Sequence, residues 1–360
     1  MTLNDKNQFL ESFLKVGGLI RLPSGKLRIW EGPFQAVENT PTAVFSVGFC
    51  AYYESELQLF HSDRPVVETE VSEFRAQLRT YIDGHSDKKG TFNQTCFEMP
   101  ALASFEESFQ LIQGKIHRGE VEKAVPVVFA RSARVPTELD RARILFHALE
   151  THPELFVFGY WNAEGGILGA TPEVLFQLQG KKVRTMALAG TCPHADKEMR
   201  LPLHQDPKEM REHQLVVQDI QNKLEKLGWV KAEDTEVVDY PTMAHLRTYL
   251  EVETSGISAG ELIKRMHPTA ALGVFPRNYG IRWMKNLPEQ ADRDLFGAPV
   301  VFAISRTEYL GLVAIRCLQW SSEGSKIGAG CGLVEASQLQ QEWRELQVKL
   351  ESVMKTLGLS

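Results

Sequence analysis

The stretch FVFGYWNAEGGILGATPEVLFQLQGKKVRTMALAG (residues 156–190) decides the fold class. Its apolar, aromatic or β-branched runs fall at 156–161, 166–169, 174–178 and 183–187, separated by short turns rich in glycine. Parallel strands need a crossover of a dozen or more residues between them, and none fits here. The rhythm therefore predicts antiparallel sheet rather than βαβ units. Upstream, Phe105, Phe109, Ile112 and Ile116 mark one face of a helix over 104–118, and 125–130 is a continuous run that reads as a buried strand. A second helix is expected over 141–150, ended before His152-Pro153. Downstream, Met210, Leu215, Val217, Ile220 and Leu224 predict a helix over 208–227 closing on Gly228 as its C-cap. Strands are expected at 300–305, 311–318 and 326–330, and a long helix at 339–357. Residues 1–95 mix short apolar runs (18–22 and 43–49) with turn residues, and the amphipathic start carrying Leu10-Glu11-Ser12 reads as a helix. The sum is an α+β fold with extensive antiparallel sheet and no internal repeat.

The composition narrows the function classes. In 360 residues, 43% apolar content supports a real core, while the net charge of −6 argues against a nucleic-acid partner, whose backbone demands a basic face. A small anion is still accessible to such a chain where Arg, Lys and backbone N–H groups converge. The cysteines Cys50, Cys96, Cys192, Cys317 and Cys331 are scattered and form no CxxC pair, so neither a disulfide framework nor a zinc cage is expected. The chain shows no leader and no apolar run of membrane-spanning length; a cytoplasmic protein without membrane contact is the expectation.

Three clusters can carry chemistry. Glu342, Glu345 and Lys349 stand at i, i+3 and i+7 and share one face of the last helix, where two carboxylates can offer hard oxygen ligands to Mg²⁺. Just upstream, GAGCG (328–332) can present backbone N–H groups to an anion, but it lacks the spacing of a dinucleotide fingerprint. Lys208 and Glu212, beside His213, lie one helical turn apart; alone they read as an i,i+4 salt bridge, although Glu212 can also supply a further oxygen ligand. In GATPE (169–173), Glu173 sits in a turn among apolar residues, a setting that raises a carboxyl pKa and suits a proton donor.

Taken in order, GATPE (169–173), LAGT (188–191), KEMREH (208–213), HPTAALG (267–273), AIRC (314–317), GAGCGLV (328–334) and EWRELQVK (342–349) resemble the chorismate-utilising enzymes. These include the isochorismate, salicylate, anthranilate and aminodeoxychorismate synthases. The resemblance covers 104–357 and implies one large chorismate-binding α/β sandwich over 1–360, with 1–103 a divergent N-terminal part and 104–360 the motif-bearing part. It implies a central cleft that binds chorismate through Mg²⁺. Glu212 and Glu345 match the metal ligands, with Glu342 a direct or water-mediated partner, and the ion holds the ring carboxylate. Arg316 matches the arginine that grips the enolpyruvyl carboxylate. Gly330 and Lys349 match groups at the carboxylate sites, Gly190 and Thr191 a binding loop, His245 a histidine lining the cleft, and Glu173 the acid that protonates the departing C4 hydroxyl.

Within that family the nucleophile added at C2 is water or ammonia, and water users resemble one another in having a lysine base where ammonia users carry Gln. Aligned without a gap, GEVEKAVP (119–126) puts Lys123 there. Arg131 lies further along than the family pattern expects, and counting back from it puts Pro126 at the base position instead. We favour Lys123, since a local bulge is easier than a lost base in an otherwise intact site; the Pro126 register would leave a non-catalytic chorismate-binding homologue. In HPTAALG, Ala271, followed by Leu272, takes the place where isochorismate synthases carry Ala and both ammonia users and salicylate synthases carry Thr. Ala270 replaces the usual Pro. The resemblance thus implies an isomerase, an isochorismate synthase serving menaquinone or siderophore formation. It would be a monomer needing no glutaminase subunit. A salicylate synthase and an ammonia-dependent anthranilate or aminodeoxychorismate synthase are the alternatives.

Overall fold

The computed structural model describes residues 3–22, 24–37, 46–85, 92–194 and 201–360. Seven α-helices occur among them: α1 (Leu3–Lys15), α2 (Val71–Gly84), α3 (Leu102–His117), α4 (Glu138–Ala148), α5 (Pro207–Leu224), α6 (Ala259–Met266) and α7 (Leu339–Thr356). Among the described residues no helix is long and apolar enough to cross a membrane.

The 156–190 stretch folds as two hairpins that belong to different sheets. Phe156–Trp161 pairs antiparallel with Gly165–Thr171, and Val174–Gln179 pairs antiparallel with Lys182–Pro193. The first hairpin lies at the centre of an eight-stranded sheet, ordered Val67–Glu70, Lys26–Glu31, Gly17–Arg21, Phe156–Trp161, Gly165–Thr171, Cys317–Ser321, Gly324–Gly330 and Val127–Ser132. The second lies in a ten-stranded sheet that also holds Met243–Glu253, Glu308–Val313, Pro299–Ala303 and Ser46–Phe49. Every strand pair in both sheets is antiparallel, and each sheet takes strands from within residues 1–103.

Side-chain alternation explains how the sheets stack. Met186 and Leu188 point into the core shared with Phe158, Leu168, Leu318 and Ile327 of the other sheet. Their neighbours Val183, Ala187 and Ala189 point the opposite way, onto Leu215, Val216 and Ile220 of α5 and Leu262 and Ile263 of α6. Because both faces of this strand are covered, its sequence is almost continuously apolar. On the far side of the eight-stranded sheet, Phe13 of α1, Phe74 of α2 and Leu145 of α4 join the main core. Each large apolar side chain so buried contributes about 1.5–3 kcal/mol.

Three expectations change on contact with the structure. The run 311–318 is not one strand: Glu308–Val313 ends in the ten-stranded sheet, and Cys317–Ser321 starts in the eight-stranded one. Gly228 is not a C-cap, since α5 stops at Leu224 with Glu225 as its cap, and Gly228 packs against the Glu253 carbonyl instead. GATPE is not a simple turn, because the chain crosses between the sheets at Pro172-Glu173. The two crossovers lie side by side: the Ala170 N–H donates to the Arg316 carbonyl at 3.1 Å, and the Val313 N–H donates to the Glu173 carbonyl at 3.0 Å.

Candidate active site

The paired crossovers deliver Glu173 and Arg316 to one place. Arg316 adopts φ +52°, a left-handed conformation that costs a non-glycine residue about 1–3 kcal/mol and marks a locally over-determined backbone. Burial lowers its guanidinium to about 10, and its Nη2 donates to His245 Nε2 at 2.9 Å. His245 must then carry its proton on Nδ1, which donates to Thr191 Oγ1 at 3.0 Å. Burial first, then Arg316 and Lys349, keep this imidazole well below its usual range and therefore neutral. Burial likewise pushes the Glu173 carboxyl up to about 7, against the opposing pull of Lys123, Lys349 and Arg316. A carboxyl held near neutrality by its surroundings is the setting for a proton donor.

Thr191 reaches this position through a bulge. The register of Lys182–Pro193 on Met243–Glu253 slips between Ala189 and Thr191, with Gly190 at φ +76°. A Cβ at Gly190 would sit 2.9 Å from the Glu209 carbonyl oxygen, so glycine is required on both counts. The slip frees the Thr191 N–H to donate to Glu209 Oε2 at 2.7 Å. Next along α5, His213 donates from Nδ1 to the Ala189 carbonyl and accepts at Nε2 from Thr248. Burial lowers it to about 4, and with both ring nitrogens engaged it is a structural tie rather than a site group.

Two helices contribute carboxylates in pairs. Asp206 caps α5 by accepting from the Lys208 and Glu209 N–H groups, and the start so fixed turns Glu209 and Glu212 inward. From α7 come Glu342 and Glu345. Lys208 does not pair with Glu212 as an i,i+4 bridge. Its Nζ lies 3.0 Å from Glu209 Oε1 and 2.8 Å from Glu342 Oε1. Lys349 holds Glu345 at 2.6 Å and donates to the Gly330 carbonyl at 2.8 Å. Burial pushes Glu209 up to about 8, with Lys208 opposing and Glu212 and Glu345 adding to the rise; Glu342 is raised for the same reasons. Glu209 was not singled out from the sequence, although EMRE (209–212) repeats the spacing of EWRE (342–345).

Lys123 lies in a short strand, Lys123–Ala124, paired with Val274–Phe275. It is wholly buried, with Nζ 3.3 Å from Glu212 Oε1 and donating to the Ala270 carbonyl at 2.6 Å. Of the two registers, Lys123 is the one whose side chain reaches the carboxylates. Pro126 is buried beside Cys331, and Arg131 lies out along the eight-stranded sheet, paired with Asp292 at 3.1 Å. A break between Lys123–Ala124 and Val127–Ser132 separates them. Gly332 fits against both Glu212 and Lys123, and a Cβ there would collide with Glu212 Oε1 and with Lys123 Cε. Gly332→Ala should therefore cost about 10²-fold in activity by displacing both groups, with an unchanged circular dichroism spectrum; full activity would show that their placement is not critical.

Glu173, Thr191, Glu212, His245, Arg316 and Lys349 line a small cavity of about 80 Å³, together with Ala271, Leu272, Gly330 and Gly332. A cleft of about 810 Å³ lies elsewhere, between Tyr160, Gln319 and the strand Ser46–Phe49, but it gathers no comparable set of buried acid, base and anion-holding groups. The small cavity is the one around which those groups gather. The four carboxylates also suit a hard divalent cation in kind: they are buried oxygen donors, and Glu342 Oε2 has no hydrogen-bond partner. Among the described residues no three such groups already stand as a ligand cage; Lys208, Lys349 and Lys123 each hold carboxylates of the set.

Groups that give and take protons, set beside cations able to hold carboxylates, are the makings of an enzyme that works on a small polyanion. Kinship says which: residues 55–358 match the family described as chorismate binding enzyme, and the chain belongs to that family. It is 30% identical over 272 residues to the isochorismate synthase EntC of Escherichia coli (strain K12), covering 72% of this chain and 68% of the relative. It is 27% identical over 270 residues to anthranilate synthase component 1 of Thermococcus kodakarensis, covering 71% of this chain and 61% of the relative. The fold matches that of MenF, the menaquinone-specific isochorismate synthase of Escherichia coli. The TM-score is 0.77, with 18% identity, over 99% of this chain and 92% of the other.

Proposed function

We propose that the protein is an isochorismate synthase, converting chorismate to isochorismate by adding water at C2 as the C4 hydroxyl departs. The observation that carries this reading is the presence of Lys123, beside Glu212, in the same buried site as Glu173. Lys123 takes a proton from the attacking water, and Glu173 gives one to the leaving hydroxyl. One water enters and one leaves, so the product is an isomer of the substrate. The turnover ends with Lys123 protonated and Glu173 ionised, and proton exchange between them or with solvent restores the start. Arg316, oriented by neutral His245, is placed to hold one substrate carboxylate through its fork of donors.

Glu212 and Glu345, with Glu342 and Glu209 beside them, would hold Mg²⁺, which when bound offsets their mutual repulsion and offers the ring carboxylate of chorismate a cation. Lys349, tied to Glu345 and Gly330, keeps α7 and the glycine-rich turn in register around that position. Ala271 supports water over ammonia, since a methyl group on the cavity wall has no hydroxyl with which to orient an amine.

Purified protein given chorismate and Mg²⁺ should form isochorismate as its single product by chromatography. Anthranilate or aminodeoxychorismate formed on adding ammonium would refute this assignment, as would salicylate accompanied by pyruvate.

A further inference from the structure

Helix α5 reaches the active-site lysine twice. Glu212 does so directly, at 3.3 Å from Lys123 Nζ. Two turns on, about 10.5 Å along the same face, Asp219 Oδ2 accepts the Ala270 N–H at 2.8 Å. The carbonyl of that same residue, Ala270, accepts from Lys123 Nζ at 2.6 Å. Ala270 is thus held on one side by Asp219 and on the other holds the lysine.

Asp219 is itself clamped. Lys223, one turn further along α5, lies 2.5 Å from Asp219 Oδ2 and donates to the carbonyls of Met266 and Pro268 at 3.2 and 2.8 Å. Its three ammonium hydrogens are fully engaged, both side chains are buried, and the pair ties α5 to the end of α6 and the segment after it. Three other carbonyls of the 269–273 turn are engaged elsewhere: Thr269 by the Leu272 and Gly273 N–H groups, Leu272 by Tyr52 and Arg293, and Gly273 by the Val125 N–H. Only the Ala270 carbonyl meets the lysine, and only the Ala270 N–H meets Asp219. A proline at 270, the residue of the family pattern, has no N–H and could not make this link.

We infer that Asp219, clamped by Lys223, is a positioning residue for Lys123, acting through the backbone of Ala270. The inference rests on the reading of Lys123 as the base. Asp219 fixes the turn so that the Ala270 carbonyl holds the lysine amine in place beside Glu212, instead of leaving it to Glu212 alone.

The test separates this role from a structural one, because asparagine keeps an oxygen for the Ala270 N–H but loses the charge that Lys223 needs. Asp219→Ala should lower kcat by about 10- to 100-fold, the range for groups that orient a reacting side chain, with KM for chorismate within about twofold. Asp219→Asn should retain kcat within about threefold of the parent although, like Asp219→Ala, it melts lower. Ala270→Pro should lose kcat as Asp219→Ala does, and combining the two should cost little more than either, since both remove one hydrogen bond. Equal losses of kcat in Asp219→Ala and Asp219→Asn would overturn the inference, as would multiplicative losses in the double variant. Should Lys123→Ala remain active, the reading of the base has failed; should Lys123→Ala be inactive and Asp219→Ala fully active, only the positioning role has.

Discussion

Replacing Lys123 with alanine is expected to lower turnover by about 10²- to 10⁴-fold, the range for a positioned general base, while chorismate still binds. The amine is wholly buried against the Ala270 carbonyl, which is no base, and Glu212, which this reading gives to the metal, so the amine is the group left to take a proton from water. Arg316 and Lys349 keep their own partners after the substitution, and of the carboxylates that would hold the metal only Glu212 loses a cation neighbour, so the dissociation constant for chorismate should move by no more than about threefold. The measurement is kcat from product chromatography beside Kd from calorimetry. An active Lys123→Ala protein would remove the base from the mechanism, and a protein that no longer binds would move Lys123 from chemistry to substrate capture.

Glu173→Gln is expected to fall by a similar factor and to change the pH dependence as well. With its carboxyl near 7, Glu173 is mostly neutral below that value and loses its proton above it. The acid is then missing, so kcat/KM should decline tenfold per unit once the pH is well above 7. Bound chorismate brings two further carboxylates, which favour the neutral acid, so the same limb in kcat should lie at higher pH than in kcat/KM. Stability gives an independent readout with a defined sign. A carboxyl raised in the folded state costs stability progressively as pH climbs from the ordinary range to about 7, and the cost persists above it. Glu173→Gln should therefore melt no lower than the parent at pH 8, with any gain shrinking as the pH falls towards the ordinary carboxylate range. An alkaline limb unchanged in the Gln variant would assign it to another group.

Much of the fold was legible because the sheets are antiparallel and their strands short. The runs at 156–161 and 174–178 begin where the strands Phe156–Trp161 and Val174–Gln179 begin, since local alternation and turn chemistry decide both ends. Strand switching was not legible. Around Val313 and Cys317 the chain is apolar in either sheet, so passage from one to the other leaves no change of composition, and 311–318 reads as a single strand. Met243–Glu253 was missed because its alternation is broken in residue type: Thr248 is polar among the buried Leu246, Leu250 and Val252, and Tyr249 is aromatic among the half-buried Arg247 and Glu251.

The site was legible where residues act through their own side chains. Glu173, Glu212, His245, Arg316, Glu345 and Lys349 all converge around one cavity or on its carboxylate cluster. What the sequence could not supply was pairing across elements. Lys208 pairs with Glu342, from a helix far along the chain, although Glu212 is its neighbour at helical spacing. Asp219 and Lys223 look like any solvated i,i+4 pair until the fold buries them against Ala270.

The adjacent crossovers have a mechanical meaning. Two layers stacked only through side chains can slide over one another, and a groove between them would change shape as they did. Here two strands are stitched through both layers at neighbouring points, and the stitches are bonded to each other through the amides of Ala170 and Val313. Those amides can exchange with solvent only when the layers part at the seam, which places them among the slow exchangers of the molecule. Glu173 and Arg316 ride on the stitches themselves. A shear that moves one carries the other with it, so their separation, and with it the proton affinity of the acid, is insulated from breathing motions in the rest of the sandwich.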